Sequence, residues 1–375
     1  MSAWPRDGVP RSPEAWLLTT ARNRLADRAR HDRVRTAHAA TLELIEPVRV
    51  EVVVPDLVIP DERLKLLFVC AHPAIDAGMH TPLMLQSVLG LDAAAIARAF
   101  VVAPAVMSQR LVRAKAKIRD AGVAFEVPDA RELSPRLEAV LSAIYAAYGC
   151  GWEGVAGANE RARGLVDEAI WLARVLKDLI TEEDAAEVHG LLALMLYCES
   201  RRHARRDSAG SFVPLSAQDP ARWDTATIDA AERELTAAGR QNRVGRFQLE
   251  AAIQSVHADR ARTGRTDWRA IAVLYEGLVR LSPTLGAHVG RAAAVGEAQD
   301  AAAGLALLDT IDAAAIGTYQ PYWATRAHLL ERNQRPDEAI AAFAHAIALA
   351  GDPAVRDFLH QCSGRVETGA PRSSP

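Results

Sequence analysis

Residues 83–119 read LMLQSVLGLDAAAIARAFVVAPAVMSQRLVRAKAKIR, and the fold class turns on this stretch. Gly90 breaks one helix, and Asp92 is placed to cap the next by accepting backbone N–H groups that otherwise go unpaired. Ala93 to Phe100 is short, with Ile96 and Phe100 four apart on one apolar face. Val101 to Ala103 make a tight turn. Pro104 then suits the first turn of a new helix, where its missing N–H costs nothing. Along that helix Val106 or Met107, then Leu111, Ala114 and Ile118, recur at three-to-four spacing and are expected to face a core. Ser108, Gln109, Arg110, Arg113, Lys115, Lys117 and Arg119 are left for solvent or for DNA. From Pro104 to Arg119 there are five basic residues and no acidic one. The pattern predicts a helix-turn-helix, its second helix suited to a major groove with cations along the phosphates. The plain alternative is a basic amphipathic helix on a solvated surface.

At 375 residues the chain has room for two or three domains, and its half-apolar composition can fill large cores. Many alanines and few aromatics favour helices, so an all-α fold is expected. No apolar run reaches the ~20 residues that span a bilayer, and the N-terminal residues lack a signal-peptide stretch, so no membrane partner and a cytoplasmic location are expected. Cys70, Cys150, Cys198 and Cys362 are scattered without CxxC spacing and read as reduced thiols. The net charge of −3 is unevenly placed. Residues 1–119 carry 17 basic and 12 acidic side chains, against 27 and 35 in the rest. A basic front and an acidic back fit nucleic-acid contact by the front alone.

Ser12 and Pro13 open a helix through about Arg35, with Trp16, Leu17, Ala21 and Leu25 on its apolar face and Arg22, Asn23, Arg24 and Arg28 among its polar residues. Residues 36–60, with Pro47, Pro55 and Pro60, read as an extended linker, a short strand at Val50–Val54 being the alternative. Residues 61–128 form the next unit, with a first helix over Leu64, Leu67 and Phe68 that ends at His72–Pro73, a second over about 77–89, and Gly122 closing the basic helix. AFEVPDARELSP (124–135) is expected to be a connector. Amphipathic helices then follow at 136–148, 164–180, 184–207, 227–240, 246–262 and 267–281, interrupted by a turn-rich segment at 208–224. Trp323, Ala327, Ala339, Phe343 and Ala346 fall at the spacing of a tetratricopeptide repeat, with Gln334 where that repeat has glycine. The helical extension is placed at 129–363 and a disordered tail at 364–375.

The residues LGLDAAAIARAF–VVAPAVMSQRLVRAKAKIR resemble region four of extracytoplasmic-function RNA polymerase sigma factors. DERLKLLFVCAHPAI (61–75) resembles the Phe-x-Cys-Cys-His-Pro signature of the subgroup with a long helical C-terminal extension; Ala71 replaces its second cysteine. PEAWLLTTARNRLADRAR resembles the last helix of sigma region two, making 1–35 a remnant of that region. LLALMLYCESRRHARRD, QDPARWD and FQLEAAIQSVHAD resemble the extension. The resemblance spans about residues 10–360. It implies promoter DNA as partner, contacted by Val106, Ser108, Gln109, Arg110, Arg113 and Lys117 and, from the front helix, by Arg22, Asn23, Arg24 and Arg28. It implies RNA polymerase core enzyme as a second partner, held weakly because the chain as given opens almost at the last region-two helix. It further implies a regulatory protein or ligand acting on the extension. The other expected function is a helical-repeat scaffold for protein interactions that carries a non-initiating sigma remnant.

Other motifs lead to no chemistry. Cys70 and His72 are two apart with no second ligand pair, whereas zinc prefers four ligands, so no metal is expected. Gly149, Gly151 and Gly154 spell G-x-G-x-x-G after a helix rather than a strand, which fits an interhelical loop better than a phosphate cradle. Five dispersed histidines, His189, His203, His257, His288 and His328, read for the most part as structural or surface residues. Arg201, Arg202, Arg205 and Arg206 crowd a helix end, where cations suit the carbonyl-rich terminus; a ligand or docking role is the alternative. Asp219 and Trp223 are expected to cap and anchor the next helix. With no nucleophile–base pair or carboxylate dyad, no enzyme, catalytic residue or cofactor is assigned.

Overall fold

Acidic caps set the start of the first three helices described in the front of the chain. Asp61 accepts from Arg63 N at 2.8 Å and Leu64 N at 2.9 Å and opens α1 (Glu62–Cys70). Asp76 opens α2 (Ala77–Ser87), and Asp92 opens α3 (Ala93–Ala99) by accepting from Ala95 N at 2.7 Å. After a turn at 100–103 comes α4 (Pro104–Asp120), bent by 109° from α3. These positions come from a computed structural model that describes residues 59–120, 128, 130–153 and 160–369. The expected front helix with Arg22, Asn23, Arg24 and Arg28, the alternative strand at 50–54 and Gly122 lie outside the described residues.

The helices α5 (Ala130–Glu153), α6 (Glu160–Leu179) and α7 (Ala185–Ser200) follow. Three single-turn 3-10 segments, Arg202–Ala204, Leu215–Ala217 and Pro220–Arg222, then lead to α8 (Thr225–Arg240), α9 (Arg246–Ala258) and the short α10 (Arg260–Thr263). The remaining elements are α11 (Trp268–Leu281), α12 (Leu285–Ala298), α13 (Ala301–Asp309), α14 (Ala313–Ile316), α15 (Gln320–Arg332), α16 (Pro336–Leu349) and α17 (Pro353–Thr368). Among the described residues the chain is all-α, with a lone antiparallel bridge between Arg206 and Phe212 and no strand. No single described helix is long and apolar enough to cross a membrane.

One apolar core runs from Ile59 to Ala258. Leu64, Leu67 and Phe68 of α1, Leu83 to Leu85 of α2 and Ile96 of α3 meet Leu133, Leu137, Val140 and Leu141 of α5 in it. Helix α5 therefore packs on α1, α2 and α3 as well as on α6 and α7. The buried Arg136 ties the two sets together, its guanidinium donating to Phe68 O at 3.3 Å and to Glu132 at 2.8 Å. A cation there suits the carbonyl-rich end of α1. Arg63 adds an ion pair to Glu168 at 2.6 Å and lies 5.1 Å above the Trp171 ring. Arg63 is part-exposed, its side chain 42% accessible, so solvent screening keeps the contribution of this pair modest.

Helix α7 forms the centre of that core. It is apolar on every side, and α5, α6, α8 and α9 surround it. Its first-turn Glu187 crosses to the start of α9 and accepts from Phe247 N at 2.9 Å and Gln248 N at 3.1 Å. Gly245, which precedes α9, leaves room for that carboxylate; a Cβ there would come 2.1 Å from Glu187 Cδ. A second core joins Ile253, Ile271, Leu278, Ala287 and Ala294, and a third gathers the hairpins from α12 to α17.

Several expectations need correction. Ile59, assigned to the linker, is buried in the first core. Helix α5 starts at Ala130, inside the expected connector; packing of Leu133 and Leu137 outweighs the cost of Pro135 in its second turn. Gly149 and Gly151 are helical residues of α5, not a loop. The helix expected over 184–207 stops at Ser200, whose carbonyl accepts from Asp224 N at 2.9 Å. Asp219 caps only a 3-10 turn, and Asp224 caps α8 by accepting from Thr227 N at 3.2 Å. Trp223 is buried as expected. Residues 364–368, assigned to the tail, continue α17 up to the left-handed Gly369, because Leu359 and Cys362 are buried and Val366 packs on the third core.

The repeat-like positions do pack as their spacing implies. Ala327, Ala339, Phe343 and Ala346 are buried between α15 and α16, and Trp323 stacks on His345 with centroids 4.3 Å apart. Gln334 takes the left-handed conformation, φ 56°, that the repeat's glycine serves. Gln334→Gly is therefore expected to raise stability by up to about 1 kcal/mol, read as a higher midpoint in chemical denaturation. Glu187→Ala, which strips two backbone donors of their carboxylate, is expected to cost about 2 kcal/mol in the same assay, with Glu187→Gln intermediate.

Candidate nucleic-acid interface

The turn before α4 is held by its own backbone. Phe100 N donates to Ile96 O at 3.1 Å, and Val102 N donates to Ala97 O at 3.0 Å. Val101 adopts φ 52°, a conformation in which a β-branched residue is strained. On the other side, Leu91 N donates to Leu85 O at 2.9 Å across Gly90, whose φ of 69° a side chain would disfavour. Both turns aim α4 across α2 and α3, its packing partners in the front of the chain.

Helical periodicity then divides α4 into arcs. Met107 and Leu111 are buried, and Ala114 and Ile118 pack partly against the same core. Of the two residues able to lead that face, Met107 takes the role and Val106 is exposed. At about 100° per residue, Val106, Arg110, Arg113 and Lys117 fall on one stripe, with Gln109 beside it. The structure thus brings five of the expected contact residues together. Ser108 does not join them. It lies on the opposite flank of the exposed arc with Val112, Lys115 and Arg119, all exposed. Arg113 Nε donates to Gln109 O at 3.4 Å, which keeps its guanidinium along the helix.

The first stripe borders an open groove. Ile75, Asp76 and Met79 form one wall, at the beginning of α2, and Arg110, Arg113 and Lys117 form the other. Asp76 is the single acid among the lining residues, and its carboxylate is engaged by Gly78 N at 2.9 Å. The loop behind this wall depends on a residue that its spacing did not single out. His80 Nε2 is within 3.1 Å of His72 O and 3.0 Å of Ile75 O. Both partners are acceptors, so Nε2 carries the proton and ties the loop to α2. The four-residue step from the cap Asp76 to His80 was the available signal.

Cys70 and His72 have structural roles in the same loop. The Cys70 thiol is buried, and burial pushes it up to about 11, with Lys115 pulling the other way. The His72 ring nitrogen Nδ1 accepts from Ala74 N at 3.1 Å. Among the described residues no group of three or more His, Cys, Asp or Glu side chains is arranged to hold a metal ion. What α4 offers chemically is a row of cations and amide or hydroxyl groups on an exposed helix face.

Comparison with known proteins adds kinship. Residues 136–239 match a family of unknown function (DUF6596), from Arg136 on α5 to the end of α8. An uncharacterized protein of Rhizobium meliloti (strain 1021) is 39% identical over 351 residues, covering 92% of this chain and 82% of that protein. No solved structure matches the chain.

The division of α4 is open to a direct measurement. Leu111→Ala is expected to cost about 2–5 kcal/mol in chemical denaturation, as a buried truncation does. Its neighbour Val112→Ala is expected to stay within about 0.5 kcal/mol of the parent.

Proposed function

The chain belongs to the family of that Rhizobium meliloti protein, and we propose that it is a sigma-factor-like transcription initiation protein. In this reading α3 and α4 are a helix-turn-helix that recognises promoter DNA, and the helices from α5 onward are a regulatory extension. The observation that carries the reading is the exposed cationic arc of α4, from Arg110 to Arg119, with Met107 and Leu111 anchoring its back. Gln109, Arg110 and Arg113 would meet base edges, since a guanidinium or amide can bond a base bidentately. Lys117 and its neighbours would run along phosphates. Val106 would give an apolar contact near the helix start. The resemblance of residues 61–119 to sigma region four supports this assignment and supplies RNA polymerase core enzyme as the second partner.

The packing of α5 supports the role of the extension. Helix α5 lies against α1, α2 and α3, so a protein or ligand that binds the later helices acts on a body that includes the helix-turn-helix. A second reading, a scaffold for protein interactions, is favoured by α15 and α16, whose alanines meet at repeat-like positions. The two readings differ in what they require of α4: only the first needs its cations.

The experiment starts from duplexes enriched by the full chain from a random pool and measures their affinity by fluorescence anisotropy at fixed salt. Arg110→Ala and Arg113→Ala are each expected to weaken binding by about 1–3 kcal/mol without unfolding the protein. Lys117→Ala is expected to lower the salt slope by about one and to weaken all sequences alike. Unchanged affinity in both arginine variants would overturn the docking of α4.

A further inference from the structure

Behind α7 lies a group of cationic side chains with no acid to balance it. Arg201 follows the last residue of α7 and is 7% exposed. Its Nη2 donates to Gln254 Oε1 on α9 at 2.6 Å, while its buried Nη1 has no acceptor. One turn on from Gln254 comes His257, and Arg260 opens α10. Arg260 donates to Ser216 O at 2.7 Å and Gln218 O at 2.5 Å and lies 5.0 Å from the Trp223 ring centre. Its Nε is buried without an acceptor. Trp223, 4% exposed, has an unpartnered indole N–H, and Gln218, 6% exposed, has an unpartnered side-chain oxygen.

Among the described residues neither Arg201 nor Arg260 is paired with a carboxylate. The groups facing His257 are Arg201 from the end of α7, Gln254 on its own helix, Arg260 on α10 and the edge of Trp268 on α11. None is acidic, and burial together with the two guanidinium groups holds this imidazole down at about 4. Arg201 is buried and Arg260 half-buried beside it, and a buried guanidinium facing a second cation is costly unless something negative joins them.

We propose that Arg201, Arg260 and Trp223 form a binding site for a small phosphate-class oxyanion, bordered by the end of α7, the start of α10 and the 212–223 segment. Guanidinium groups match tetrahedral oxyanions through forked, charge-assisted hydrogen bonds. The indole N–H adds a third kind of donor. Gln218 Oε1 is an acceptor, and a protonated phosphate oxygen can donate to it, whereas sulfate near neutral pH has no proton to give. Its donors come from the end of α7, the start of α10 and Trp223, so this site is separate from the open face of α4.

The test uses the full chain, with thermal unfolding followed by tryptophan fluorescence in inorganic phosphate, sulfate or chloride at matched ionic strength. Phosphate is expected to raise the unfolding temperature saturably and more than sulfate, because a ligand that binds only the folded state stabilises it. Glycerol 3-phosphate separates the two sources of this chemistry: equal affinity means a phosphorylated metabolite, and weaker affinity means the free ion. Arg260→Gln and Trp223→Phe, which keep the packing, are each expected to weaken phosphate by ~10-fold or more. A rise no larger than with chloride overturns the proposal. So does a rise unchanged in both variants, which would put the anion elsewhere, and a sulfate effect equal to that of phosphate rules out the role given to Gln218.

Discussion

The burial of α7 on all sides is the constraint on which the rest of the molecule depends. Four successive residues, Leu192, Ala193, Leu194 and Met195, are buried although each points more than a quarter-turn around the helix from the one before, so no side is left for water and the helix must be enclosed. Four helices do that, and each then has its own second face to cover. Helix α5 covers its other face with the front helices, and α9 covers its other face with α11. The Glu187 carboxylate fixes how α9 meets α7, because it bonds the backbone N–H groups at the start of α9 and tolerates only glycine at 245. From this centre the packing propagates outward as hairpins through α17.

One result of that propagation concerns regulation. The front helices and α5 share a core, and Arg136 carries a hydrogen bond from one to the other. The face that α5 occupies is formed by α1, α2 and α3, while α4 packs on α2 and α3 from its own side. An effector bound to the later helices has, in α5, a path of packed side chains toward the orientation of α4. Any control exerted by the extension in the proposed function would operate through this shared core.

Elements that depend on local chemistry were readable in the sequence. Asp92, Gly90 and Pro104 specify the turns around α3 and α4 through caps and backbone preference. The spacing from Met107 to Ile118 gives the buried face of α4. Elements decided by long-range packing were not readable. Pro135 argues for a connector on local grounds, and only the contacts of Leu133 and Leu137 with α1 and α2 explain why it lies inside a helix. Periodicity could not choose between Val106 and Met107, which differ by one step around the helix. Nor could it separate Ser108 from Arg110, because the two flanks of an exposed arc look alike in polarity. The cations at 201 and 260 are far apart in sequence, so their meeting appears only in three dimensions.

The order in which the chain is made gives the enclosure of α7 a further consequence. Its partners α8 and α9 lie after it, and α9 ends roughly 60 residues beyond Ser200. At translation rates of ~5–20 residues per second, an uncovered apolar helix persists for about 3–12 seconds before its last partner is complete. Until α8 is made only α5 and α6 of its partners are available to shield it, and until α9 is complete one side stays open, so fragments that end before residue 258 are expected to expose apolar surface and clump.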